Sequence, residues 1–599
     1  MKSLIALLNV LLIELGARCG TSTARDIKTI RERCEHEGLS FLTITLPAFG
    51  KDFEKSLDQG RVDSSLFLGF SRREGLPRFL GGFLSRVFAS SSGLLLDDPD
   101  IDAIRAIRQV TLMFGKIKLP CSPERTQLAF RKYLECEQDV RLADQLLLSE
   151  PNRVQEFRRI GRLLWADLFA EMDNTIYHEL IVPRHGPGAT ADKLRGNAKY
   201  NNRRWTRRLD EVFPHWENLI PSESLLQRMD GVTVLEPGEE VPVKVTPVPK
   251  TLKTPRLIAE EPTCMQYMQQ GILALVVKQI ARSDNARNFI CFKSQEPNQR
   301  LAREGSLRGS LATLDLSEAS DRVSNQHVRL LLLNHPNLSR AVDATRSRKA
   351  DVLGQTIRLA KFASMGSALC FPMEAFVFAT VVFLGIQEAL SQPLTTEDIK
   401  RLRGSVRVYG DDIIVPTDYV HCVVRELEAF GFRVNTAKSF WTGRFRESCG
   451  KEYYAGQDVC LARVRQLLPT SQQQVSEVAA TVAFRNQLFE LGYSDTVDYL
   501  DSLIERVIPF PWVERTSSLL GRYGHYLPSQ ETRHDPDLQH PLVRGAVISA
   551  KSPKSYLDDY GALMKWFLNE GEDPLQKDHL IRAGRPESAS IKIRWTRPY

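Results

Sequence analysis

The chain has 599 residues, which at about 100–200 residues per domain allows several structural units with ample cores. Its 42% hydrophobic and 26% charged content excludes disorder as a description of the whole chain. Lys and Arg number 80 against 73 Asp and Glu, a net +7 that permits a polyanionic partner without demanding one. The ten cysteines include no C-x-x-C pair, which excludes a disulfide scaffold, a zinc ribbon and a thioredoxin-like motif. They are expected to stay reduced, as in a cytosol.

In chain order, Lys2 precedes an apolar run from Leu4 to Leu15, broken by Asn9 and Glu14. Glu14 would charge the core of a secretory signal, and Arg18 stands where a lipoprotein cleavage site ahead of Cys19 wants a small residue. An amphipathic or buried helix is expected instead. Helical periodicity recurs around Ile101–Phe114 and Val154–Met172, and the first 180 residues hold no catalytic pattern, internal repeat or low-complexity tract. Arg184-His185-Gly186-Pro187-Gly188-Ala189-Thr190 is a Gly/Pro-rich loop. A basic stretch follows: Lys193, Arg195, Lys199, Arg203, Arg204, Arg207 and Arg208, with Tyr200 and Trp205 inside it and no acid between them. Such a stretch is either a solvated face or a surface that tracks phosphates and stacks on bases.

Val241 to Pro249 alternates like a strand, with Lys244 in it, and Lys250, Lys253 and Arg256 follow at three-residue spacing. Pro249 and Pro255 argue against a helix there, so an extended arm presenting cations is predicted, suited to a triphosphate. Leu311–Leu316 reads as a buried strand ending at Asp315. Ser317–Arg322 then turns into a helix running through Leu330–Leu333. Ser364-Met365-Gly366-Ser367 is a flexible loop leading into an apolar helix. The run Ala375–Ile386 is too short to cross about 30 Å of hydrocarbon and is expected to be a buried helix, so no membrane span is expected.

The sharpest signal is Tyr409-Gly410-Asp411-Asp412, flanked by Ser405–Val408 and the β-branched Ile413-Ile414-Val415. Two short strands around a Gly-Asp pair predict a β-hairpin with the acids at its tip. Adjacent carboxylates repel, and exposing them is useful where cations occupy the site. A buried strand carboxylate without a partner is costly, which calls for a metal or cation near Asp315. Two-metal phosphoryl transfer needs acids converging from separate strands, which Asp315 and Asp411 supply, with Asp412 beside them.

The ordered set KTLKTPR (250–256), DLSEASD (315–321), SMGSALCFPME (364–374) and YGDD (409–412) resembles motifs F, A, B and C of viral RNA-dependent RNA polymerases. It is closer still to the catalytic (beta) subunit of the replicases of positive-strand RNA bacteriophages, the levivirus group. Asn298-Gln299-Arg300, Glu304-Gly305-Ser306 and Phe445–Lys451 followed by Tyr453-Tyr454 carry that narrower likeness. The likeness is specific from about 240 to 456.

The resemblance implies an α+β right-hand polymerase fold of fingers, palm and thumb, with an antiparallel palm sheet flanked by helices. Residues 1–180 would form a helical region with outer fingers and possible partner surface. Residues 181–310 would be fingers with the basic nucleotide-entry motif, 311–460 the palm, and 461–599 the thumb with a basic tail. By the same resemblance Asp315, Asp411 and Asp412 would bind two Mg²⁺, and Lys250, Lys253 and Arg256 would hold the incoming triphosphate. Asp321 would sense the ribose 2′-OH. Ser364 and Gly366 would form the mobile loop by the nucleotide, with Glu374 further along the same motif. Lys438 would protonate departing pyrophosphate. Ser448 to Lys451 would grip the primer end, and Arg203, Arg204 and Arg207 join Ser448 and Lys451 as RNA contacts.

Counting from Gly366, the common pattern has Thr four residues on and Asn eight on, where this chain has Cys370 and Glu374. Glu at the second place fits the phage group; the thiol at the first is a weak donor and leaves the sugar contacts open. The implied reaction is template-directed RNA synthesis on a viral single-stranded RNA from ribonucleoside triphosphates, started without a primer in the cytoplasm of an infected bacterium. The implied partners are host elongation factors Tu and Ts and a ribosomal protein. A reverse transcriptase is the nearest rival, although those enzymes place a bulky gate where Asp321 stands. A non-catalytic RNA-binding protein is the other rival, although the acids and cations are intact. The C-terminal Arg582, Arg585, Lys592, Arg594 and Arg597, against Glu587 alone, predict a disordered solubilising tail or an RNA-contacting extension.

Overall fold

Leu4, Leu7, Leu8, Leu11, Leu12 and Leu15 recur at helical spacing, and in the computed structural model Lys2–Arg18 is one helix with all six buried. The structure describes residues 1–222, 225, 231–526, 528–551, 556–557, 559–570 and 586–599. Glu14, which interrupts the apolar run, is buried and satisfied: it accepts hydrogen bonds from Thr496 N (3.0 Å) and Thr496 Oγ1 (2.7 Å) and pairs with Arg18 (3.1 Å). The first helix is thereby seated on the Ser494–Glu505 helix.

The expected 1–180 unit is divided among three cores, the smallest joining Phe130 and Tyr133 to Val243, Val245 and Ala259. Residues from Leu4 to Leu119 share one core with Phe440, Phe445, Tyr454 and Val459 and with the Val475–Glu490 and Ser494–Glu505 helices. Pro151–Tyr177 instead buries Phe157, Trp165 and Phe169 in the larger core, built around the Cys370–Leu390 helix. That helix is longer than its apolar run and is the one described helix long and apolar enough to cross a membrane. It is buried on nearly every side, which is why its sequence is hydrophobic all round.

A buried ion network stitches the first core together. Arg108, fully buried, lies 2.9 Å from Glu54 and 2.8 Å from Glu452, and also donates to the Val459 carbonyl. Lys51 (2.6 Å to Glu54) and Arg463 (2.8 Å to Glu452) complete it.

The helix predicted from Ser317 through Leu333 is two helices, Ala319–Arg322 and Asn325–Leu332. Ser324 breaks it: its extended backbone makes it an N-cap, accepting from His327 N while His327 Nδ1 accepts from Ser324 N. His327 is buried, and burial pushes its imidazole down to about 3. Because the folded state refuses a proton that the unfolded chain accepts below about 6.5, stability is full above that pH and falls as pH drops. The expected slope is about 1.4 kcal/mol per pH unit from this one residue. Urea unfolding from pH 7 to 5 should show a shallower decline in His327→Gln than in the wild type; equal declines would contradict it.

The C-terminal cations are not a disordered tail where they are described. Pro541–Lys551 pairs antiparallel with Ser588–Thr596 in a ribbon that carries Lys592 and Arg594. Ala546 and Ile591 anchor it against Val478 and Val482 of the Val475–Glu490 helix. Alternation of Ile591 and Ile593 with polar residues supplies the buried face that ordering requires. Arg582 and Arg585 lie outside the described residues.

Candidate active site

The site is built on a three-stranded antiparallel sheet, Arg407–Tyr409, Asp412–Pro416 and Leu311–Leu314 in that order. Ile413 pairs with Leu314, so the same register carried one residue further sets Asp412 beside Asp315. Tyr409 pairs with Asp412, leaving Gly410 and Asp411 as a two-residue turn, the hairpin expected from the tetrapeptide. Gly410 has φ +60°, and a Cβ there would meet Phe371 at 2.4 Å. Only glycine serves this turn.

Like charges dominate. Burial and then Asp315 push the Asp411 carboxyl above its ordinary range. Burial and then Asp411 push Asp412 up to about 6. The compensating cation is Lys438, 3.2 Å from Asp315 Oδ1 and 3.3 Å from Oδ2; against the cost of burial, Asp315 holds its ammonium above the usual lysine range. Asn435 Nδ2 donates to Asp315 Oδ2 (2.8 Å), and Ser439 Oγ accepts from Asp315 N (3.1 Å). Sequence reading singled out Lys438 from this loop and missed Asn435 and Ser439, whose roles depend on how the loop folds back on the strand.

Lys250 reaches the same cleft. Loss of hydration, then Arg256 and Lys438, lowers its ammonium below the ordinary lysine range, and Asp411 and Asp315 pull the other way. The predicted arm is in fact the tip of a hairpin: Val243–Val248 pairs antiparallel with Arg256–Glu260, with Val248 opposite Arg256. Pro249 and Pro255 end the pairing, and Arg125 donates to the tip at the Leu252 carbonyl (2.7 Å). Lys253 and Arg256 are exposed there.

Asp321 accepts from Ser364 Oγ (3.1 Å) and Lys361 Nζ (3.1 Å). Gly366 has φ +138°, and its Cα passes so close to the basic hairpin, at the Arg256–Glu260 strand, that a Cβ would lie 1.9 Å from the Ala259 carbonyl. Glu374 is buried, and burial, then Asp411 and Asp321, raise its carboxyl well above the usual range. Among the described residues its Oε2 has no hydrogen-bond partner. Cys370 Sγ lies 4.0 Å from the Ala363 carbonyl. Ser448 Oγ sits 3.4 Å from Asp412 Oδ1, at the turn of the Phe445–Ser448 and Lys451–Tyr454 hairpin, where Lys451 pairs with Asp458 (3.2 Å).

The basic stretch near 200 divides. Trp205 is fully buried and donates to the Phe213 carbonyl (3.0 Å), so it offers no stacking face. Lys199 is buried on the carbonyls of Gly186 and Gly188 (2.6 Å each), and Arg208 is paired with Glu240 through two 2.7 Å bonds. Arg203, Arg204 and Arg207 are exposed; Arg207 pairs with Glu236 (3.1 Å) and Arg203 stacks on Tyr560 (5.6 Å). None of their described contacts joins them to the carboxylates.

Among the described residues no three acidic, His or Cys side chains form a ready-made metal cage. The donor set still fits Mg²⁺: hard oxygens, mutually repelling, on two adjacent strands, in the pattern of one or two carboxylates completed by substrate phosphates.

An antiparallel sheet thus brings aspartates from a strand end and a neighbouring hairpin together, faced by a basic hairpin tip. Residues 239–475 match the family RNA replicase, beta-chain, and so contain every one of these groups from Lys250 to Lys451. The chain is 37% identical over 212 residues to the RNA-directed RNA polymerase beta chain of Escherichia phage MS2, covering 35% of this chain and 36% of that one. It is 32% identical over 293 residues to the RNA-directed RNA polymerase subunit beta of Escherichia virus Qbeta, 49% of this chain and 43% of that one. The matches thus span less than half the length of these relatives. Among solved structures, the RNA-dependent RNA polymerase of a human picorbirnavirus is similar at TM-score 0.33 and 12% identity, over 44% of this chain and 55% of that one.

Proposed function

We propose that this protein is a template-directed RNA polymerase that copies a phage single-stranded RNA genome from ribonucleoside triphosphates. The observation that carries the reading is the Asp315–Asp411–Asp412 cluster, built on adjacent strands and faced by Lys250 and Lys438. In this reading 181–310 serve as fingers, 311–460 as palm and 461–599 as thumb, with 1–180 shared between outer fingers and partner surface.

Asp315, Asp411 and Asp412 would hold two Mg²⁺. When bound, the metal lowers the pKa of the attacking 3′-hydroxyl and neutralises charge on the phosphates. The chain's own groups position and balance charge. Lys250, Lys253 and Arg256 hold the triphosphate and stabilise its growing negative charge as pyrophosphate leaves. Lys438, kept protonated by Asp315, is placed to give a proton to the leaving group. Asp321 accepts from the ribose 2′-OH, and Glu374, whose Oε2 has no hydrogen-bond partner among the described residues, has an oxygen to offer the same nucleotide. Gly366 keeps the 364–367 loop close to Ala259, and Ser448 to Lys451 steady the primer end. Arg203, Arg204 and Arg207 form an outer RNA contact. Synthesis starts without a primer. It takes place in the cytoplasm of an infected bacterium, with host elongation factors Tu and Ts and a ribosomal protein as partners.

The test is incorporation of labelled nucleotides on an RNA template with Mg²⁺, with and without bacterial lysate. Ribonucleotides are expected to outcompete deoxyribonucleotides by at least about a hundredfold, because a site built to bind a hydroxyl rejects the analogue lacking it. A preference for deoxyribonucleotides would point to a reverse transcriptase. No synthesis under any condition, with RNA still bound, would point to a binding protein.

A further inference from the structure

Cys370 and Glu374 stand where the common polymerase pattern has Thr and Asn, and neither is among the described side-chain donors to Asp321. The fold gives it others. Lys361 is completely buried, and its Nζ lies 3.1 Å from Asp321 Oδ1, 3.8 Å from Glu137 Oε1 and 3.6 Å from the centre of the Tyr133 ring. Tyr133 Oη lies 2.9 Å from Ser364 Oγ, which donates to the same Asp321 oxygen at 3.1 Å. Glu137 also accepts from the backbone of Ala360 (2.7 Å) and Lys361 (3.2 Å). Tyr133 and Glu137 both come from the Pro123–Leu148 helix, far from the motifs in sequence.

A buried ammonium costs several kcal/mol in lost hydration unless its partners are close and fixed. Here an acid, a second acid and an aromatic face surround it. Both described side-chain donors to Asp321 end on Oδ1; among the described residues none reaches Oδ2. A carboxylate gripped by one oxygen is held in orientation and keeps the other available.

We infer that Lys361 is the positioning residue for sugar selection: it fixes Asp321 through Oδ1 so that Oδ2 meets the ribose 2′-OH, and through Tyr133 and Glu137 it ties that selection to the Pro123–Leu148 helix. The inference rests on the proposed reading of Asp321 as the sugar-sensing group. Lys361 touches no substrate. Its effect is on where Asp321 stands.

The experiment is single-nucleotide incorporation by the full-length chain, with lysate if synthesis needs it, comparing kcat/KM for ribo- and 2′-deoxyribonucleotides in wild type, Lys361→Met, Lys361→Arg and Asp321→Asn. Lys361→Met is expected to lower ribonucleotide efficiency and leave deoxyribonucleotide efficiency nearly unchanged, shrinking the ratio at least about tenfold. Lys361→Arg should recover part of the ratio. A folded Lys361→Met with an unchanged ratio, or with both efficiencies lowered equally, would reduce Lys361 to a structural staple and overturn the inference. If Asp321→Asn also leaves the ratio unchanged, it is the reading of Asp321 that fails. Should Lys361→Met not fold, Lys361→Gln carries the test, since it keeps a polar side chain in the pocket and removes the ammonium that grips Asp321. A compressed ratio in that variant supports the inference, and an intact ratio overturns it.

Discussion

Asp411→Ala is expected to abolish RNA synthesis, a loss of at least about a thousandfold, while RNA binding persists. The carboxylate stands at the tip of the hairpin turn, and its ordinary acidity is suppressed by burial and by Asp315. A group held in that state makes the fold less stable when ionised, because the charged form is disfavoured where it sits. Its removal should therefore leave thermal stability unchanged or slightly raised. That combination separates a lost reaction from a lost fold. Asp315→Ala should behave alike in activity, although it also releases Lys438 and Asn435. Gel-resolved product formation, RNA binding and a melting curve on the same preparations make the check. Turnover near the wild-type rate in either variant would remove these aspartates from the site.

Arg108→Met is expected to destabilise the protein by about 3–5 kcal/mol, the usual cost of leaving buried charges without their partner. Glu54 and Glu452 would both stay buried, each with one remaining cation, Lys51 or Arg463. Arg108 lies on the Ile101–Leu112 helix, Glu54 on the Leu46–Gln59 helix and Glu452 on the hairpin that also carries Ser448. The weakened contact is therefore the one joining the N-terminal core to the hairpin beside Asp412. The lowest unfolding transition should move down in urea and in temperature, with several cores making a single two-state fit inappropriate. Replacing all three charges together, as Glu54→Leu, Arg108→Met and Glu452→Leu, should recover much of the loss, because no unpaired charge is then left buried. A single variant within about 1 kcal/mol of wild type would show that the network carries little.

Much of the candidate site was legible in contiguous residues. The Tyr409–Asp412 hairpin follows from turn chemistry between β-branched flanks, and the strand into Asp315 from a short, mostly apolar run. The Cys370–Leu390 helix follows from composition alone, since a helix apolar on every face has to be enclosed. These signals are local: the residues that create them are neighbours in the chain.

Other features needed the tertiary structure. Trp205 and Arg208 lie in a stretch that reads as either a solvated face or an RNA surface, and both are buried, because Phe213 and Glu240 fold over them. The C-terminal cations read as a disordered tail or an RNA-contacting extension, and the two of them in Ser588–Thr596, Lys592 and Arg594, are in a strand, because Pro541–Lys551 offers the edge it completes. The first 119 residues carry no motif of their own, yet they share a core with the hairpin that reaches Asp412. Lys361 is an unremarkable lysine until Tyr133 and Glu137 enclose it. The amino-acid sequence by itself determined which groups could do the chemistry, because that is a matter of residue type and short-range spacing. Which of them are held, buried or set free was decided by packing between distant segments, because burial and pairing energies belong to contacts that no local pattern encodes.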